Sequence, residues 1–167
     1  MSRTLRTSAA TAALLLLAAC TPAPAPAPPP AASPFNATDT AWIQLMIPMN
    51  EQLLPALALA PPELAPFAAE LEVSHERELA QLKRLRARAG LSDENPHAGH
   101  EMPGLVSEAD LAGLRLDPTG LPATLREHLA QSALLARGEQ DSGADQETRD
   151  LAASIVTARA AQSARLG

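Results

Sequence analysis

Three features of this 167-residue chain predict an all-α fold, an antiparallel four-helix bundle. Between residues 35 and 167, apolar side chains recur at spacings of three and four over four long stretches, the period of a helix with one buried face. Alanine and leucine dominate, β-branched residues are few, and Phe35, Trp42 and Phe67 are the only aromatics, which favours helix over sheet. Short turns separate the first stretch from the second and the third from the fourth. A longer segment, residues 91–120, divides the two pairs, so two helical hairpins joined by a long central connection follow.

The first helix is expected to start near Asp39, with Thr38 or Asp39 as cap, and to carry Trp42, Leu45, Met46, Met49, Leu53 and Leu57 inward. Pro48 falls inside it and Pro61-Pro62 ends it. The second reads ELAPFAAELEVSHERELAQLKRLRARAG, with Leu64, Phe67, Leu71, His75, Leu79, Leu82 and Leu85 as its stripe and Gly90 past its end. Ser107-Glu108-Ala109-Asp110 has the form of a capped start for a short helix ending near Arg115. The third long helix is expected over about 122–138, with Leu121, Leu125, His128 or Leu129, Ser132 and Leu135 on one side. After the polar run EQDSGADQE, the fourth covers roughly 146–166, with Leu151, Ile155, Ala158, Gln162 and Leu166 facing in. Residues 71–82 and 155–166 align without gaps, which suggests a duplicated hairpin.

Ahead of these helices stands MSRTLRTSAATAALLLLAAC. Arg3 and Arg6 precede an apolar run over residues 9–19 and a cysteine, the arrangement of a secretory leader. The run is too short to span a bilayer. Leu17-Ala18-Ala19-Cys20 resembles a bacterial lipobox, which implies a leader over 1–19 and a lipid on Cys20. Cys20 is the sole cysteine, so no internal disulfide can form. Residues 20–34 hold seven of the sixteen prolines. That density favours an extended polyproline stalk of roughly 40 Å between membrane and domain. The expected location is the extracytoplasmic face of the cell envelope, anchored to the membrane through the lipid. The formal charge is −6, and loss of Arg3 and Arg6 with the leader makes it −8, which argues against nucleic acid as a partner. The sequence leaves any protein partner and the oligomeric state open.

The stretch FNATDTAWIQLMIPMNEQLLPALALA resembles the opening helix of the bacterial domain-of-unknown-function family 305, a ferritin-like helical bundle often found on secreted proteins and lipoproteins. Met46, Ile47, Pro48, Glu51 and Gln52 match the family's Met-Ile-Pro-His-His-Glu-Gln pattern, while Met49-Asn50 stands where the paired histidines do. In the second half His128 falls on the first histidine of the repeated pair; Leu129 and Ala130 replace the second histidine and the glutamate. Where the family favours glutamine followed three later by glutamate, this chain has His75 with Glu78, and Arg159 with Gln162. The GHEMPG segment resembles the His-, Met- and Gly-rich linker between the halves. The resemblance implies a kept scaffold whose polar centre has been rewritten.

Two sets of side chains could bind a metal. In NPHAGHEMPG, His97, His100 and Met102 offer two imidazoles and a thioether, donors that suit copper, and Gly99 lets the loop fold back. Within the bundle, Glu72 and His75 form a Glu-x-x-His pair on one helix, on which Glu51 and His128 are expected to converge. A full di-metal centre would need carboxylates from all four helices, and the fourth offers only Gln162 on its inner stripe. Met46 and Met49 lie on an apolar stripe, where methionine is usually packing. No Cys–His pair, phosphate loop or nucleophile elbow is present, so an enzyme is not expected. Two functional readings remain: an envelope lipoprotein that binds a transition metal, copper first, or an interaction or structural module that has lost its metal centre.

Overall fold

The computed structural model describes residues 33–167; the expected leader, Cys20 and all but the end of the expected stalk lie outside them. The described part is all-helical, without strands. In chain order it contains α1 (Ala37–Leu57), α2 (Ala65–Arg88), α3 (Glu108–Leu116), a 3₁₀ turn (Pro118–Gly120), α4 (Leu121–Ser142) and α5 (Gln146–Leu166). Among the described residues, no helix is long and apolar enough to cross a membrane.

Side-chain caps set several of the boundaries. α1 begins two residues earlier than expected, because Asn36 caps it and accepts from the amides of Thr38 and Asp39 at 2.8 and 3.0 Å. Asp39 is the reciprocal partner, accepting from the Asn36 amide at 2.6 Å. Ser107 and Asp110 close the same kind of box at the start of α3. α2 ends in a Schellman turn. Gly90 takes φ +66°, and the amides of Gly90 and Leu91 reach back to the carbonyls of Ala87 and Arg86.

The four long helices pack against one another. The first turn of α1 lies against the end of α4, through Asn36 Nδ2 to the Ser142 carbonyl at 2.8 Å. The start of α2 meets the end of α5 through Glu70 and Arg165, and its end meets the start of α5 through Arg88 with Asp145 and Glu147. Arg165 and Arg88 also lie over the rings of Phe67 and Phe35, at 4.9 and 4.8 Å.

α4 runs four residues beyond the expected end at Gly138, into the polar run, because Glu139 is a buried residue. Its carboxyl lies against Gly143 and beside Asp39. Asp39 itself accepts from the amides of Ala144 and Asp145 at 3.1 Å, which ties the α4–α5 turn to α1. Burial, then the neighbouring carboxylates Asp39 and Asp145, push Glu139 up to about 8. With its proton Glu139 can donate to Asp39; without it, both oxygens lack any partner.

This corner gives stability a definite pH dependence. The folded protein holds the Glu139 proton to about pH 8, whereas the ordinary value is 4.5. The contribution is therefore complete below pH 4.5 and lost as pH rises to about 8, at up to about 1.4 kcal/mol per pH unit. Glu139→Gln keeps a donor for Asp39 and removes the titration. Urea denaturation between pH 6 and 8.5 should show the variant gaining steadily on the wild type; parallel curves would contradict the assignment.

Candidate functional site

Apolar side chains form two clusters, and a polar layer divides them. One cluster holds Trp42, Met46, Met49, Leu82, Ala136 and Ile155; the other holds Leu53, Leu71, Leu125 and Leu129 among others. Each long helix carries buried polar residues near the passage from one cluster to the other. These are Asn50 on α1, His75 and Glu78 on α2, His128 and Ser132 on α4, and Arg159 on α5.

Arg159 organises one side of the layer. It is 1% exposed, and its guanidinium reaches both oxygens of Glu78, at 3.0 and 2.5 Å. Its Nε donates to Ser132 Oγ at 2.9 Å and its Nη1 also to Gln162 Oε1 at 3.0 Å. Ser74 donates to Glu78 Oε1 at 3.2 Å and receives the Gln162 amide at 3.4 Å. The buried charge is thus paired and four of its five donors are used, as a buried guanidinium requires.

The other side is a histidine pair. His75 Nε2 and His128 Nε2 face each other at 3.2 Å, with both rings fully buried and their centroids 5.2 Å apart. Each Nδ1 has a backbone carbonyl as its partner: Leu71 for His75 at 2.8 Å and Gly104 for His128 at 2.9 Å. A carbonyl only accepts, so both Nδ1 atoms must carry the proton. Two neutral imidazoles have two N–H groups for three contacts. The shortfall falls between the Nε2 atoms, where two lone pairs meet.

A third proton would fill that gap, but the surroundings oppose it. Burial first, then the charge of Arg159, push His128 down to about 3. Burial, Arg159 and His128 likewise hold His75 well below the ordinary value, against the opposing pull of the Leu71 carbonyl. The pair is neutral at physiological pH.

The structure brings His75 and His128 together and corrects the rest of the expected bundle set. Glu51 lies on the surface, paired with Lys83 at 2.7 Å. Glu72 is solvent-exposed, because on a helix that turns His75 fully inward a residue three earlier falls at the edge of the buried face. Glu78, not Leu79, occupies the next buried turn of α2, and Arg159, not Ala158, that of α5. Met46 and Met49 pack in the apolar cluster. In the central loop the rings of His97 and His100 lie 6.0 Å apart, with His100 exposed and Met102 half-buried. Among the described residues, no three His, Cys, Asp or Glu side chains converge as a metal-binding group.

Helical periodicity missed Glu78 and Arg159, since each reads as a charge on a solvated face. The signal that marks them is the gap-free alignment of residues 71–82 with 155–166. It places His75 and Glu78 on Arg159 and Gln162, four residues that meet in this layer.

Neither a family model nor a curated protein matches the sequence. A search of solved structures finds a crystallised DUF305 fragment from Deinococcus radiodurans with a TM-score of 0.69. The chain shares the DUF305 fold. The superposition covers 80% of this chain and 95% of that fragment at 19% identity.

The ion pair has a measurable signature. Arg159→Met leaves Glu78 buried without its cation and should cost about 3–5 kcal/mol. Adding Glu78→Met should restore most of that loss, so a double-mutant cycle in urea should give strong coupling. Additive effects would contradict the burial.

Proposed function

We propose that this chain is a divergent DUF305 protein of the cell envelope, with its helices arranged as a ferritin-like antiparallel four-helix bundle that binds a soft transition-metal ion between His75 and His128. The observation that carries this reading is the meeting of the two Nε2 atoms at 3.2 Å while each Nδ1 lies within hydrogen-bond distance of a backbone carbonyl. Metal-binding histidines commonly hold their second nitrogen on a carbonyl or carboxylate, which fixes tautomer and ring orientation. Both imidazoles have that anchor here, and both are held in the neutral form that a metal requires.

The donor set favours a particular ion. Two nitrogens suit an ion content with two ligands, which points to Cu(I) over zinc, whose sites need three or four protein donors. A metal–nitrogen distance of about 2 Å in line would set the two Nε2 atoms about 4 Å apart. The rings would then part by slightly under 1 Å from their separation here, a displacement within reach of side-chain adjustment. Glu78 offsets the charge of Arg159 next to the pair, which lowers the electrostatic cost of adding a cation. The lipobox around Cys20 and the proline-rich stalk support anchorage at the extracytoplasmic membrane face. An interaction or structural module is the alternative, supported by Met49-Asn50 in place of paired histidines.

The two candidate metal sites predict opposite mutational patterns. Titration of the full chain with Cu(I) should give one tight site per chain that His75→Leu or His128→Leu abolishes and that His97→Ala with His100→Ala leaves in place. At 100-fold excess over Kd the ion should add about 2.7 kcal/mol of stability. Loss of binding in the loop variant alone would move the site to the loop. No binding beyond that of a denatured chain would favour the structural module.

A further inference from the structure

The buried pair has no solvent contact, so any ion must pass a movable part of the molecule. His75 and His128 are each 0% exposed. α2 and α4, which carry them, are held by their own backbone hydrogen bonds along their length. The remaining backbone bonded to the pair belongs to the central connection, where the Gly104 carbonyl receives the His128 Nδ1 proton.

This part of the connection is a strap laid on α4. Gly104 is buried and takes φ +75°, a conformation that other residues adopt only with strain. A Cβ there would lie 2.7 Å from Gln131 Cβ and 3.2 Å from the Glu127 carbonyl. Val106, 2% exposed, pins the strap into the apolar cluster around Leu53 and Leu125. Outside it lies an open cavity of about 840 Å³, lined by His100, Met102, Gly104, Thr124 and Glu127 among others. His100, Met102 and Gly104, the residue whose carbonyl anchors His128, therefore line one cavity.

We propose that the 102–106 strap is the gate of the His75–His128 site, and that His100 and Met102 are the landing ligands from which the ion passes inward when it lifts. The inference rests on the reading of the pair as a metal site. It gives the His-x-x-His-x-Met loop a transfer role: exposed soft donors hold an ion weakly, and the enclosed pair holds it longer.

The test separates rate from capacity. Full-length protein is mixed with a coloured Cu(I)–chelator complex, and colour loss gives the rate of transfer. Each sample is also unfolded and refolded with Cu(I) present, which loads the pair without a gate. Val106→Ala, which loosens the pin without touching the Gly104 carbonyl, should load roughly tenfold faster than wild type. Gly104→Ala should both load and release faster. His100→Ala with Met102→Leu should load more slowly at low Cu(I), with one ion per chain still bound after refolding. Equal native rates in all four proteins, or slower loading in Val106→Ala, would overturn the gate while leaving the metal site standing. Failure of refolded wild type to take up Cu(I) would overturn the metal reading, and the gate with it.

Discussion

A guanidinium can be buried only with an anion and acceptors for its donors, and the centre of this protein is arranged around that demand at Arg159. Glu78 supplies the charge from α2, Ser132 a hydroxyl from α4 and Gln162 an amide oxygen from α5 itself. Sliding α5 by one turn against α2 or α4 would strand a buried charge, at a cost of several kcal/mol. The network therefore sets the relative height of three helices that are otherwise faced with interchangeable alanines and leucines. It also governs its neighbours, because the charge of Arg159 helps to keep both histidines unprotonated.

Charge at the centre and shortage of protons at the histidine pair are thus linked. The three contacts of the pair call for one N–H more than two neutral rings carry. A cation between the two Nε2 atoms would relieve that shortfall. The Asn50 side-chain oxygen on α1 is buried without a partner. Its amide donates back to the Met46 carbonyl at 2.8 Å. The polar layer is therefore well satisfied around Arg159, while the Asn50 oxygen on α1 lacks a partner.

Local chemistry made much of the fold legible in the sequence. The short helix after Ser107 and the bounds of α5 follow from capping residues and apolar period, which depend only on neighbours in the chain. Asn36 was missed as a cap, although Asn-x-x-Asp carries the signal, because Asp39 is itself a good cap and drew the boundary inward. α4 outran its expected end because Glu-Gln-Asp-Ser reads as a turn, and only contact with Asp39 shows why Glu139 is buried. The site was legible in part. His75 and His128 were candidates, but their meeting spans 53 residues and that of Glu78 with Arg159 spans 81. No local pattern contains such pairings. Spacing from His75 suggests Glu72, and convergence from α1 suggests Glu51, but the phase of each helix puts both on the surface.

The proposed site depends most directly on where the imidazole protons are. Nitrogen-15 NMR of the full chain at neutral pH, with His75 and His128 assigned by single substitution, distinguishes protonated from bare ring nitrogens. Two rings each protonated at Nδ1 and bare at Nε2 are the predicted result, with both Nε2 signals shifting on addition of Cu(I). A proton on either Nε2 would mean that the pair satisfies itself by an ordinary hydrogen bond, and would contradict the claim that its geometry is made for a cation.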